Sequence, residues 1–280
     1  MLGTVVCCEG DDQAINPADI EDGSWVIYSP YKWSHDGQPY RSVYCDVFSD
    51  GASAAMKEKA GKLADAMFLE VLDLFDFTRF EDLRYPPGDE KINVYINRFH
   101  EVSIAAAYWG TIIITIRASD FDAGHYEYLF RHELTHEFEF LIEGVVNLRT
   151  DLWFLEGIAI YAGGGLNRIN TVADLDNWIV QNANYPNQGN PISIHSWSDW
   201  PEDSDWNGYC WVFDVVMKYL LDVEGFGKST REVLNIFYDV WDGISFDTSF
   251  QAHFGISLAT LESEIFDRLR AYLSQVQTAP

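Results

Sequence analysis

His132-Glu133-Leu134-Thr135-His136, followed by Trp153-Phe154-Leu155-Glu156-Gly157-Ile158-Ala159-Ile160-Tyr161, is the pair of stretches on which the reading of this 280-residue chain turns. In a helix, residues four apart return to nearly the same side, so His132 and His136 can approach one ion together. Glu133 stands one step round from His132, close to that ion but available as a base instead of a ligand. Around these residues Leu129, Phe130, Leu134, Phe138, Leu141 and Ile142 recur at helical spacing. That pattern predicts a helix over 126–142 with an apolar face to bury. Taken alone, the pentapeptide also fits an ordinary surface helix, because short motifs match by chance.

Glu156 adds a third donor. The chain between His136 and Glu156 is long enough for the first helix to end and a second to return. Gly144 and Asn147-Leu148-Arg149-Thr150-Asp151 supply the expected turn. A carboxylate beside Trp153-Phe154-Leu155 is expensive to bury unless it is paired or coordinated. Its alternative role is a helix carboxylate hydrogen-bonded to the chain. A catalytic zinc site keeps three protein ligands and one open position, so the expected ligands are His132, His136 and Glu156. Zinc there would lower the pKa of its water and polarise a substrate carbonyl, with Glu133 taking the proton and passing it toward the leaving amine. Peptide hydrolysis suits this arrangement, and it asks for one more donor to the oxygen that gains charge.

On these residues the chain resembles the gluzincin metallopeptidases, the peptidase-MA-like group whose third ligand is a glutamate. His-Glu-Leu-Thr-His matches the zinc helix, and the run from Trp153 to Tyr161 resembles the second motif of that group. The resemblance implies an α+β, zincin-like fold with a β-containing N-terminal lobe, a mainly helical C-terminal lobe and an active-site cleft between them. It implies Zn2+ on His132, His136 and Glu156, and Glu133 as general base. The metzincin pattern departs at Glu139, where its glycine would stand, and at Ile142, where its third ligand would stand. Tyr209 before residues 212–220 is similar to the active-site tyrosine and following helix of several gluzincins, and residues 249–262 resemble the end of such a domain. The likeness covers about residues 91–273.

Tyr209 is therefore the first candidate for the oxyanion donor, with an aromatic helix anchor as its alternative role. His195 is a second candidate, although Ile192 and Ile194 equally place it on a short buried strand. His253 reads as a packing or cap residue and His125 as the entrance to the zinc helix. Tyr161 is expected to shape the second helix or the cleft. Gluzincins often carry an acid four positions after the third ligand, where it orients a zinc histidine. Here that position is Ile160, which leaves Asp151 and Glu137 as weak substitutes.

The expected organisation is an N-terminal arm over 1–24, the β-containing lobe over 25–123, the helical zinc-binding lobe over 124–273 and a tail over 274–280. Hydrophobic residues make up 48% of the chain, enough for a sizeable core. Residues 25–28 and 40–48 look strand-like. Residues 52–75 read as a helix with Leu63, Met67, Val71 and Leu74 near one face. After a break at 84–89, residues 91–96 and 109–116 are strand candidates. By the resemblance, one of these two edges the cleft and pairs with substrate backbone; an inner strand is the alternative. Residues 182–190 form a polar loop. The run Trp197-Ser198-Asp199-Trp200-Pro201-Glu202-Asp203-Ser204-Asp205-Trp206 is either a substrate-selecting rim or a solvated loop pinned by tryptophans. Asp203 and Asp205 are candidate Ca2+ ligands, without EF-hand spacing.

The chain has 44 Asp+Glu against 18 Lys+Arg, a formal charge of -26. That charge disfavours a nucleic-acid partner and favours basic peptide or protein substrates, or surroundings of high ionic strength. The apolar residues of 104–116 are too few for a membrane span, which needs roughly 20, so no transmembrane segment is expected. Cys7, Cys8, Cys45 and Cys210 form no zinc knuckle or redox pair, and any disulfide connectivity is open. The first eight residues lack the charged start and full apolar core of a secretory signal. An extracellular or cell-envelope location is what the resemblance implies. The expected activity is zinc-dependent endopeptidase. The aminopeptidase rival lacks a Gly-Ala-Met-Glu-Asn-like segment before His132, and a non-catalytic peptidase-like binding module would have no need of Glu133.

Overall fold

The computed structural model describes residues 5–7, 38–50, 52–77, 91–97, 105–108, 111–115, 125–143, 150–183, 191–193 and 206–278. It is an α+β chain, with short strands in its N-terminal part and a mostly helical C-terminal region. Two compact units divide it, Met1–Leu148 and Arg149–Pro280.

The first unit holds strands β1 (Val5–Cys7), β2 (Tyr40–Arg41), β3 (Cys45–Asp50), β4 (Ile92–Asn97), β5 (Ala105–Tyr108) and β6 (Thr111–Thr115), with helices α1 (Ala54–Leu74) and α2 (His125–Glu143). They build one six-stranded sheet in the order β1-β5-β6-β4-β3-β2. β3, β4 and β6 run parallel, while β5 lies antiparallel to β6 and β1 antiparallel to β5. Alternation decides which face is covered. Cys45, Val47 and Ser49 are buried and register with Ile92, Val94 and Ile96, which are buried too; Ile114 continues the row from Ile96. The opposite face carries Phe48 stacked on Tyr95 at 4.9 Å.

Both helices pack on the sheet and on each other, and Phe75 stacks on Phe138 at 4.4 Å. Helix α1 comes close because of its small residues. A Cβ at Gly61 would lie 2.7 Å from the Tyr40 ring. Its buried face is Ala60, Gly61, Ala64, Met67, Phe68, Val71 and Leu72; of the expected line, Met67 and Val71 are buried, while Leu63 and Leu74 are half-buried. Periodicity located the helix; residue size rotated it. Asp65 on this helix ties down the β2–β3 turn, accepting from Ser42 Oγ at 2.7 Å and from the Val43 and Tyr44 N–H groups at 2.8 and 2.9 Å. That turn splits the single strand expected over 40–48 into a hairpin.

Two further expectations change. Both candidates for a cleft-edging strand, now β4 and β6, are inner strands with a neighbour on each side. Within the stretch expected to be an irregular arm, Val5–Cys7 forms β1 on β5. The expected strand at 25–28 and the break at 84–89 lie outside the described residues.

The second unit comprises α3 (Leu152–Gly163), α4 (Val172–Gln181), a 3-10 turn at Pro191–Ser193, α5 (Trp206–Leu221), α6 (Thr230–Trp241), α7 (Phe246–Phe254) and α8 (Leu258–Thr278). Helix α3 is its axis: every residue from Leu152 to Ile160 is buried. It packs closely on α5 at Gly157, where a Cβ would meet the Phe213 carbonyl oxygen at 3.3 Å. Trp153 and Phe154 enter an aromatic cluster with Phe237, Phe246, Phe250 and Phe254. The α3 C-terminus is closed by Gly164 in the left-handed region (φ 102°). The following backbone is held by Asp214 of α5, which accepts from Leu166 N–H at 2.9 Å and from Lys218 Nζ at 2.9 Å.

No helix among the described residues is long and apolar enough to cross a membrane. Cys45 and Cys210 are buried. Burial pushes the Cys45 thiol well above its usual pKa, and the charges of Asp65 and Glu137 add to the shift, which leaves it protonated and unreactive.

Candidate metal centre

Helix α2 carries the first half of the centre. Glu127 in its first turn complements the positive end of the helix dipole. Leu129, Phe130, Leu134, Phe138, Leu141 and Ile142, the apolar set read from the sequence, are all buried. So are the residues between them: every position from His132 to Glu139 is buried. This is a helix enclosed on all sides, so each of its polar groups needs a partner in the protein or a bound ion. Thr135 meets that need locally, its hydroxyl donating to the Arg131 carbonyl at 2.7 Å. Arg131 in turn reaches Glu70 of α1 at 3.1 Å.

The two imidazoles stand nearly perpendicular, at 84° with ring centroids 4.8 Å apart. Their Nε2 atoms face each other at 3.2 Å. Nδ1 of His136 lies 2.9 Å from Oε2 of Glu139, with both side chains buried. An ionised carboxylate can only accept, so with Glu139 ionised this contact would put the His136 proton on Nδ1 and the lone pair on Nε2. The ring of Tyr128, one turn earlier, packs on His132 at 5.8 Å.

Glu156 supplies the second half, from the middle of α3 and fully buried. Ligand atoms of His132, His136 and Glu156 all lie within 4.8 Å of one another. Two nitrogens each about 2.0–2.1 Å from a tetrahedral zinc stand roughly 3.3 Å apart, and the observed Nε2 separation matches. Two imidazoles and a carboxylate are also the donor set of a catalytic zinc site with an open fourth position. The cluster is geometrically compatible with a divalent metal.

The remaining candidates are placed as follows. Glu133 is buried on α2 beside His132. Tyr209 is buried on α5, its ring edge-on to Trp178 at 5.7 Å, and Trp178 Nε1 donates to the Gly208 carbonyl at 2.7 Å. His253 Nε2 lies 3.0 Å from Asp239, which also accepts from Ser249 Oγ at 2.7 Å, so this histidine ties α7 to α6. His125 opens α2, and Asp151 is the N-cap residue of α3. Tyr161 is half-buried, its phenol pushed up in pKa by burial and by the charge of Asp222. Ile160 is buried in α3. His195, Asp203, Asp205 and the whole 197–205 segment lie outside the described residues.

Glu139 is the residue that sequence reading missed. It entered only as the mismatch to the metzincin glycine. The available signal was its spacing, three positions after His136 on the same helix, where side chains become neighbours. No protein-family model matches this chain, and no curated protein matches it.

Proposed function

We propose that this chain is a zinc-dependent peptidase of the gluzincin kind, with a zincin-like fold, and that it cuts internal peptide bonds. The observation that carries the reading is the convergence of His132, His136 and Glu156, all buried, with the two Nε2 atoms at zinc-site separation. A purely structural metal site is usually closed by four protein ligands, whereas three leave a position for reaction.

His132, His136 and Glu156 would hold the ion, and zinc when bound supplies Lewis acidity toward water and the scissile carbonyl. Glu133, on the same helix as two ligands, takes the proton released by the attacking water and delivers it to the departing amine. His132, Glu133, His136 and Glu156 are each buried, and interactions among buried charged groups are stronger than in water. Tyr209 is the proposed donor to the substrate oxygen as it becomes negative. The acidic chain favours basic peptides at the site, and the likeness to gluzincins favours an extracellular or cell-envelope location.

Bound-metal analysis paired with proteolysis by the parent and Glu133→Gln proteins tests the reading. One zinc per chain is expected in both, with cleavage lost in the variant. Absence of zinc from the parent, or equal cleavage by the two, would overturn it. Matched peptides with open and N-acetylated termini separate the modes of attack, since strict dependence on an unblocked N-terminus means an aminopeptidase.

A further inference from the structure

The geometry points to Glu139 as the residue that positions His136 for the metal, a role placed on the zinc helix itself instead of on α3. This inference rests on the metal reading above and adds a residue to it.

The physical case begins with the choice every histidine ligand faces. A neutral imidazole has one protonated and one unprotonated nitrogen, and only the latter can bind a metal. Which nitrogen that is depends on what the other one touches. For His136, Nδ1 meets the Glu139 carboxylate at 2.9 Å and Nε2 meets His132 Nε2 at 3.2 Å. Glu139 therefore selects the Nδ1–H form and turns the Nε2 lone pair toward the second imidazole. Its acceptor charge also raises the electron density of the ring, which strengthens the nitrogen as a ligand.

The partner is close in sequence, three residues along one helix, so the device needs no other element to assemble it. The burial of both side chains removes competing water and makes the contact stronger than an exposed pair at the same spacing. It also explains how Ile160 can be tolerated. That position is occupied by a buried aliphatic side chain, which can orient nothing through a hydrogen bond, and α2 already carries a carboxylate on a zinc-helix imidazole. The same helix thus supplies two ligands, the proposed base and the orienting acid.

Three variants of the full chain test this: Glu139→Gln, which keeps the shape, Glu139→Asp, which keeps the charge but shortens the reach, and Glu139→Ala. Zinc affinity is measured by chelator competition, and the coordination sphere by the visible absorption of the cobalt-substituted protein. Zinc binding is expected to weaken by about 10–100-fold in Glu139→Gln and Glu139→Ala, with Glu139→Asp in between and with altered cobalt spectra. Parent-like affinity and spectra in Glu139→Gln would overturn the inference while leaving the metal reading intact. Zinc-free parent protein would instead overturn the metal reading. A measurement on the parent alone guards against variants that do not fold: ring-nitrogen NMR of the metal-free protein is expected to show His136 protonated on Nδ1. Protonation on Nε2 with Nδ1 bare would refute the role of Glu139.

Discussion

Two buried acids on two helices, Glu139 on α2 and Asp214 on α5, meet the problem of burial differently. Asp214 faces a permanent cation, Lys218 Nζ at 2.9 Å, and accepts from the backbone N–H groups of Leu166 and Asn167 at 2.9 and 3.4 Å. Lys218 closes the circuit on Asn167 Oδ1 at 3.2 Å. One carboxylate oxygen, Oδ2, gathers the cation and both N–H groups, and the result is a clamp that holds the loop after α3. Glu139 faces an imidazole whose other nitrogen points at a second imidazole, with the Glu156 carboxylate close by. There, two imidazole nitrogens and a carboxylate lie within 4.8 Å of one another, an arrangement compatible with a divalent cation. The first pattern ties a loop down; the second is a candidate binding site.

The sharpest way to break this contrast is at Glu133, the proposed base beside the candidate ligands. Glu133→Gln is expected to reduce peptide cleavage by about 10²–10⁴-fold, with zinc content and melting temperature close to the parent's. A large stability loss with residual activity unchanged would assign Glu133 to packing instead. On the other side, Asp214→Ala leaves the Leu166 and Asn167 N–H groups and Lys218 without their acceptor. It should cost about 1–3 kcal/mol in urea unfolding while zinc stoichiometry stays the same. Loss of zinc at unchanged stability would erase the distinction between clamp and site.

A milder probe of the clamp is Gly165→Ala. Gly165 has φ +77°, and an added Cβ would sit 2.7 Å from Lys218 Nζ. The flexible lysine end can move, so the backbone conformation sets the penalty, roughly 1–2 kcal/mol, read again by urea unfolding. No destabilisation would mean that the loop has another conformation in solution.

The smallest effect concerns a third kind of acid, a half-buried one at a helix start. Glu232 forms a capping box with Ser229 at the start of α6. The Ser229 hydroxyl, followed by its backbone N–H, holds the Glu232 carboxyl below its usual pKa. A depressed folded-state pKa means stability that is present above the ordinary carboxyl value and lost as pH falls through the folded one. Ser229→Ala should lower stability by about 1 kcal/mol near neutral pH and flatten the acid side of a melting-temperature titration. An unchanged acid slope would show that the cap contributes nothing through Glu232.

Much of the centre was legible because helices make it local. The spacing of His132, Glu133 and His136, and the apolar set from Leu129 to Ile142, needed only the helical period. The break before Trp153 and the apolar run around Glu156 likewise announced α3. What was not legible depends on contacts that spacing does not encode. The rotation of α1 was set by the small residues that let it approach the sheet, so Ala60 and Ala64 join the expected Met67 and Val71 on the buried face while Leu63 and Leu74 are half-buried. Strand order made 91–96 and 109–116 inner strands, because β5 took the antiparallel place beside β6. Tyr209 could be read equally as an anchor or a donor, and its burial beside Trp178 is compatible with both.

The sequence by itself determined which residues could meet a metal and which helices carry them. Periodicity, turn residues and donor chemistry are properties of short stretches. Only the tertiary structure decided that Glu156 comes within ligand distance of His132 and His136, and that Nδ1 of His136 turns to Glu139. The physical reason is that a side chain's rotamer and its ring orientation are chosen by what surrounds it. For a helix buried on every side, those surroundings exist only once the chain has folded.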